Sequence, residues 1–186
     1  MRIVGFVLLL VINVSLFGQT FHGEISGKLT ETSYTSDFTW EFGEDTTFYF
    51  LAFELEEELH EVKMTFTNSG TAQVEIVEGG NLVESRTLTP EEVRKDIVVV
   101  ERNYSNGPEY MSYTTEKAQF RTDDKEIESL LAEIDVDWNG ADHFFVGDIP
   151  FALSNEKEGM FPLKIMSTDL KGNLEYSFEV TTIEAK

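Results

Sequence analysis

Polar and apolar residues alternate in short runs over most of the chain, and Gly and Asn separate the runs. Alternation with a period of two is typical of strands that bury one face, and tight turns between short strands predict an antiparallel meander. The run 46–55 is apolar on both faces at its middle, which predicts a central strand. The predicted strands are 21–29, 37–42, 46–55, 61–68, 72–78, 82–88, 96–102, 110–121, 144–146, 161–167 and 173–183.

The segment that starts at Thr89 breaks this strand pattern with the signals of a helix N-terminus. Thr89 precedes Pro90, and Glu92 follows the threonine by three residues. A capping threonine, a proline at the first helical position and a glutamate at the third form a capping box. We therefore predict a short helix over 90–95.

A second helix signal begins at Asp123, which Glu126 follows by three residues. Apolar residues then recur at the spacing that places them on one face of a helix. This stripe predicts one amphipathic helix over 124–134. Its members are Ile127, Leu130, Leu131 and Ile134.

These elements predict a mainly β fold. We expect one antiparallel, strongly curved sheet that is half-barrel-like, with two short helices. A β-sandwich is the alternative fold for the same strands. The sequence contains no internal repeat and no Pro- or Ser-rich linker, so a single domain over 19–186 is expected.

Residues 1–18 have the composition of a signal peptide. One basic residue, Arg2, precedes an uncharged apolar run that is shorter than the roughly 20 residues needed to span a bilayer as a helix. Cleavage after Gly18 is expected, and cleavage after Ser15 is the alternative. The other interpretation is an uncleaved membrane anchor. No later apolar run approaches spanning length, so we expect no transmembrane segment in the mature chain.

The chain is strongly acidic: its 186 residues include 14 Lys and Arg against 35 Asp and Glu, a formal net charge of −21. A nucleic-acid-binding protein needs a basic face, so the charge argues strongly against a nucleic-acid partner. It also argues against electrostatic docking on anionic lipid, which needs a basic patch. The absence of Cys excludes thiol catalysis, disulfides and cysteine-based zinc sites. Since the three His have no metal or triad spacing, we expect a protein without enzymatic activity.

One local motif suits a cation. Residues 135–142 read D-x-D-x-N-G-x-D, which resembles the first half of an oxygen-ligand calcium loop, but Val146 stands where such a loop carries a bidentate Glu. A β-hairpin is the preferred alternative, because apolar residues alternate with the polar ones and Asn-Gly is a strong turn signal. We therefore expect no cofactor, with calcium as the lesser alternative. The candidate metal ligands are Asp135, Asp137, Asn139 and Asp142.

Aromatic and aliphatic residues provide the other candidate site. The run 46–55 is rich in Phe, and the stripe of the second helix must bury its apolar face against another element. A helix over the concave face of a curved sheet would enclose an apolar ligand site between the two. The candidate ligand-binding residues are Ile127, Leu130, Leu131, Ile134, Phe50 and Phe53.

Two stretches resemble one family. The C-terminal FPLKI (161–165), DLKGN (169–173) and YSFEVTTIE (176–184) look like the closing hairpin of small exported bacterial proteins related to the outer-membrane lipoprotein carrier, and FHGEI (21–25) resembles their first strand. The resemblance implies an antiparallel half-barrel with helices over an apolar concave face, where the carriers in that superfamily hold acyl chains. The carrier's basic acyl-site residue has no counterpart here, so the resemblance bears on fold more than on activity.

Together these features predict a non-enzymatic protein of the periplasm or the cell exterior that binds an apolar small molecule or lipid in a covered, concave sheet. The alternative function is an extracellular β-sandwich that binds calcium or carbohydrate in adhesion. The shape of the sheet separates the two, because the first needs one curved sheet and the second needs two packed sheets. The sequence indicates no particular protein partner.

Overall fold

The computed structural model describes residues 20–32, 34–55, 57–89, 92, 98–141, 149–154 and 157–186. Eleven strands in this part of the chain form one sheet, in which every neighbouring pair is antiparallel. The strands are β1 (Gly23–Glu31), β2 (Tyr34–Phe42), β3 (Thr46–Leu55), β4 (Glu58–Thr67), β5 (Ala72–Glu78), β6 (Asn81–Leu88), β7 (Glu101–Asn106), β8 (Thr115–Arg121), β9 (Lys125–Glu133), β10 (Met160–Asp169) and β11 (Leu174–Ala185).

The sheet consists of two meanders that meet where the first strand pairs with the last. Its order is β6-β5-β4-β3-β2-β1-β11-β10-β9-β8-β7, so β6 and β7 are the edges and the sheet is not closed. Gly23 of β1 lies opposite Ala185 of β11, and Glu31 lies opposite Tyr176. The predicted mainly β, antiparallel class is confirmed. The β-sandwich alternative needs two packed sheets, whereas all eleven described strands belong to one sheet.

The helix predicted over 124–134 is wrong, because this segment forms strand β9. Thr122 and Lys125 close a tight hairpin between β8 and β9. The Thr122 N–H donates to the Lys125 carbonyl oxygen at 3.0 Å, and the Lys125 N–H donates to Thr122 Oγ1 at 3.1 Å. The acidic residues between them therefore belong to a turn. The following apolar residues are buried on both faces of the sheet, and burial on both faces gives a spacing that also fits a helix.

The helix predicted over 90–95 lies outside the described residues except for Glu92. The Thr89 N–H donates to Glu92 Oε2 at 2.6 Å, and the Glu92 N–H donates to the Thr89 carbonyl oxygen at 3.1 Å. The hydrogen bonds from Thr89 hold the pKa of Glu92 below its usual range. The predicted strand at 144–146 also lies outside the described residues.

The hydrophobic core lies on one face of the sheet, which we call the inner face; the opposite face is the outer face. The inner face is defined by Ile25, Trp40, Phe66, Ile127 and Ile165, all at most 2% exposed. Two further elements contribute buried side chains to this core. They are the segment 134–141, which follows β9, and helix α1 (Ile149–Ser154), which packs against β10 and β9.

Candidate functional site

The apolar residues of the predicted helical stripe do not share one face of the sheet. Ile127 lies on the inner face, opposite Phe120. Leu130 lies opposite lysines of both neighbouring strands on the outer face, where it is buried but separate from the core. Leu131 and Ile134 are buried within the core itself. The stripe therefore does not form the lid of a ligand site, and that part of the prediction is wrong.

Phe50 and Phe53 also lie on opposite faces, as residues three apart on a strand must. Phe50 faces outward, and the Lys63 ammonium lies 5.7 Å from the centre of its ring, which is a cation–π contact. Phe53 faces inward, opposite Ser36 of β2 and His60 of β4. Of this pair, Phe53 is the one placed to contribute to a site on the inner face.

Aromatic side chains fill the end of the inner face that segment 134–141 covers. Trp138 lies edge-on to Trp40, with 5.4 Å between ring centroids, and stacks on Phe161 at 5.7 Å. Phe151 of α1 adds a ring 6.3 Å from that of Trp40. Trp40, Phe151 and Phe161 are at most 2% exposed, so this filled end is close-packed core.

The other end of the inner face carries an apolar surface that is only half-buried. At its centre Phe53 stacks on two rings, with 5.0 Å between its centroid and that of Tyr34 and 5.3 Å to that of His60. Its other members lie opposite one another across β3, β4 and β5. We call this surface the open patch; it consists of Tyr34, Leu51, Phe53, His60, Val62 and Ile76, all of intermediate exposure.

A polar group lies at the rim of the open patch. The Nδ1 atom of His60 lies 3.6 Å from Glu78 Oε1, and the two side chains are 17% and 45% exposed. The contact is an ion pair only when the imidazole is protonated, because the neutral ring carries no charge. Small-molecule sites commonly combine an apolar surface with a few polar groups of this kind.

The predicted calcium motif forms a tight turn. The Ala141 N–H donates to the Trp138 carbonyl oxygen at 2.7 Å, and φ is 48° at Asn139 and 84° at Gly140. Positive φ at both central residues is the geometry that Asn-Gly favours. The Asn139 N–H also donates to Asp137 Oδ1 at 3.0 Å, which stabilises the turn. A turn therefore lies at the predicted Asn-Gly pair, and the second half of the predicted β-hairpin lies outside the described residues.

The predicted cation ligands of this motif are not grouped in the described part of the chain. Asp135 and Asp137 are exposed, whereas Asn139 is buried and directs its Nδ2 toward Thr47 Oγ1 at 3.2 Å. Asp142 lies outside the described residues. Among the residues with described positions, no three His, Asp or Glu side chains come together to hold a metal ion. Calcium binding stays a prediction.

A groove of about 360 Å³ lies on the outer face across β7 to β10. Its lining is about equally polar and apolar. Among the polar side chains, Glu128 forms an ion pair with Lys117 at 2.6 Å, and Asn103 Nδ2 donates to Glu101 Oε1 at 2.9 Å. Such side chains suit a ligand that forms hydrogen bonds. The lining residues include Glu101, Asn103, Arg121, Glu126, Glu128 and Met166.

Tyr110, in the loop between β7 and β8, contacts the outer face of the sheet. This residue was not among those selected from the sequence. Tyr110 Oη donates to Glu179 Oε1 at 2.9 Å, and Lys164 Nζ lies 3.3 Å from the same oxygen. Burial, with the hydrogen bond to Glu179, raises the pKa of Tyr110 to about 12. The hydrogen bond from Tyr110 in turn lowers the pKa of Glu179. No local pattern signals a contact between residues this far apart in the chain.

Comparison with protein-family models, with curated proteins and with solved structures found no match to this chain. In the described residues, no helix combines the length and the apolar composition needed to cross a membrane. The predicted signal peptide at 1–18 lies outside those residues. The geometry of the open patch and of the outer groove is therefore the basis for inferring a function.

Proposed function

We propose that the protein is a non-enzymatic cell-envelope protein that binds an apolar or lipidic ligand at the open patch. The observation that carries this proposal is the contrast between the two ends of the inner face. One end is packed with rings that are almost wholly buried, while the open patch leaves six side chains of four neighbouring strands half-buried. A contiguous apolar surface of this kind is typical of a binding site.

The gain from covering the open patch follows from the hydrophobic effect. Full burial of one large apolar side chain contributes roughly 1.5–3 kcal/mol, so covering the part of a half-buried one that is still exposed contributes at most about 1 kcal/mol. The stacked rings of Tyr34, Phe53 and His60 form a contiguous row against which an acyl chain can pack. Several such contributions together suit a ligand of moderate affinity, after the cost of immobilising it.

The half-barrel curvature is part of the proposal, and the connection between the sheet edges supports it. Ten strand spacings of about 4.8 Å would separate the edges of a flat sheet of eleven strands by about 48 Å. The chain from Leu88 to Glu101 covers only 13 residue steps, at most about 43–47 Å when fully extended. A bend at Thr89 shortens it further, since Glu92 N–H bonds back to Thr89. A curled sheet brings the two edges within this reach.

Export completes the proposal. The leader-like composition of residues 1–18 supports cleavage near Gly18 and delivery to the periplasm or the cell exterior. The resemblance of the first strand and of the C-terminal hairpin to the lipoprotein-carrier superfamily supports a half-barrel fold, on whose apolar concave face the carriers in that superfamily hold acyl chains. The net charge of −21 opposes docking on an anionic lipid surface. We therefore favour a ligand that the protein binds as a single molecule.

Extraction of the purified mature protein followed by mass spectrometry tests this proposal. We expect an apolar small molecule in stoichiometric amount with the native protein and its loss after denaturation and refolding. The refolded protein should then bind a fluorescent fatty acid saturably. Absence of a co-purifying apolar molecule together with no saturable probe binding would overturn the proposal.

The outer groove favours a second candidate function, the binding of a carbohydrate. Its volume of about 360 Å³ and its carboxylate and amide side chains suit a ligand rich in hydroxyl groups. Glycan-array binding by the native protein, lost when Glu128 is changed to Ala, would favour this function. Binding that survives the substitution would exclude the groove.

A further inference from the structure

Strand β6 is an edge of the sheet with an exposed surface. Every residue from Asn81 to Thr87 is exposed, including Leu82 at 59% and Val83 at 53%. One side of β6 pairs with β5, and no strand pairs with its other side in the described residues. A row of backbone donors and acceptors on a free edge is a template for another strand.

Two opposite charges lie next to each other on this edge. Glu84 and Arg86 are two residues apart on the inner face, and their side chains form an ion pair with 3.0 Å between Arg86 Nε and Glu84 Oε1. Their partners on β5 are the apolar Ile76 and Val74, so neither charge has an opposite charge across the β5–β6 pairing. The two side chains are 44% and 57% exposed and remain accessible to an incoming strand.

We propose that β6 pairs with β6 of a second copy of this chain. The two strands are antiparallel and are related by a twofold axis at Ser85. In this register Glu84 of each copy lies opposite Arg86 of the other. The pairing therefore contains two cross-strand Glu–Arg contacts, and opposite charges directly across an antiparallel pair stabilise it.

The charges select this register among the symmetric ones. A twofold axis at Glu84 would place the two Glu84 side chains opposite each other, and an axis at Arg86 would do the same with the arginines. Like charges directly opposite are destabilising. A pairing register shifted by one residue is excluded, because it would place inner-face residues of one copy opposite outer-face residues of the other. Only the axis at Ser85 pairs unlike charges.

Pairing of β6 with itself also gives a closed dimer. The same patch is used on both copies, so no free β6 edge remains to recruit a third chain. Repulsion between two chains of net charge −21 is screened beyond about 8 Å at physiological ionic strength, which leaves the contacts at the edge to decide association. One strand pair is a small interface, so we expect a weak dimer.

Sedimentation velocity over a concentration series up to about 0.5 mM, a range suited to a small interface, tests this proposal. We expect the mature protein to dimerise and each of the variants Glu84→Arg and Arg86→Glu to self-associate at least tenfold more weakly. Each variant alone sets like charges opposite each other. A mixture of the two restores unlike pairs and should form a heterodimer, and the double variant should dimerise like the native chain.

The control is Lys63→Glu, which changes the net charge by the same amount as Arg86→Glu. Lys63 forms a similar ion pair with Glu61 at 3.0 Å, but on β4 within the sheet, so this variant should dimerise like the native protein. A native chain that stays monomeric throughout the series would overturn the proposal. Single charge variants that dimerise as well as the native chain, or a mixture that does not associate, would overturn it too.

Discussion

Asn139 and Thr47 share a buried hydrogen bond that fixes the segment after β9 to strand β3. Asn139 Nδ2 donates to Thr47 Oγ1 at 3.2 Å, and Thr47 Oγ1 donates in turn to the Asp137 carbonyl oxygen at 2.8 Å. Thr47 is fully buried and Asn139 is 3% exposed. The single hydroxyl therefore satisfies two polar groups of segment 134–141, which covers the filled end of the inner face.

Replacing Thr47 with Val should destabilise the protein by about 1–3 kcal/mol, because the Asp137 carbonyl and the Asn139 amide each lose a buried partner. The free energy of unfolding in urea measures this loss. The control is Thr39→Val on the outer face of β2, which should change the stability by less than about 0.5 kcal/mol. Equal effects of the two substitutions would show that the hydroxyl of Thr47 does not anchor the segment.

The turn at Gly140 should be sensitive to an added methyl group. A Cβ atom there would lie 2.9 Å from the Gly70 Cα and 3.4 Å from the Thr67 carbonyl oxygen, and φ is 84°. Gly172 has the same φ of 84° but no atom within 4 Å of such a Cβ. Gly172→Ala should therefore cost about 1–2 kcal/mol from the backbone conformation alone.

Gly140→Ala should cost more than Gly172→Ala, since it adds a contact with backbone atoms to the same conformational strain. Thermal and urea unfolding of both variants give the comparison. If the two substitutions cost the same, segment 134–141 does not approach the turn after β4 as closely as described.

The sequence predicted the sheet better than it predicted what covers the sheet. Alternation identified most strands, because one buried face gives a local signal. It failed at β9, where Ile127 faces the core and Leu130 is buried on the other face, so the apolar spacing imitated a helix. The crossing of segment 134–141 depends on contacts between residues about 90 positions apart, such as Asn139 and Thr47, which no local pattern encodes.

The face on which each predicted ligand-binding residue lies could not be predicted for the same reason. Phe50 and Phe53 were predicted together as ligand-binding residues, but Phe53 faces inward and Phe50 faces outward. The Phe-rich strand is apolar on both faces, so its pattern does not say which ring faces the core. The other members of the open patch, among them Tyr34 and His60, come from strands whose register is set by pairing.

The Tyr110–Glu179 hydrogen bond should make stability depend on pH at the alkaline end. The pKa of Tyr110 is raised from 10.0 to about 12, so its contribution to stability is complete below pH 10 and is lost as the pH rises toward 12. The pKa of Glu179 is lowered, so its contribution is present above pH 4.5 and is lost as the pH falls through the folded-state value.

Tyr110→Phe should remove the alkaline loss of stability and reduce the acid one, because the phenol is the first cause of the lowered pKa of Glu179. Urea unfolding of both proteins between about pH 2 and pH 12 measures these slopes. The difference in tyrosinate absorbance between the two proteins isolates the titration of Tyr110. A midpoint near 10 in that difference would contradict the contact.

The most direct test of the proposed function compares two phenylalanines of one strand as binding determinants. Phe53 lies in the open patch on the inner face, and Phe50 lies on the outer face beneath Lys63. Titration of a fluorescent fatty acid into the mature protein gives a dissociation constant for each alanine variant. We predict that Phe53→Ala weakens binding about fivefold, which corresponds to a loss of about 1 kcal/mol of contact, and that Phe50→Ala leaves binding unchanged. Equal affinities of Phe53→Ala and the native protein, or no saturable binding by the native protein, would contradict a ligand site at the open patch.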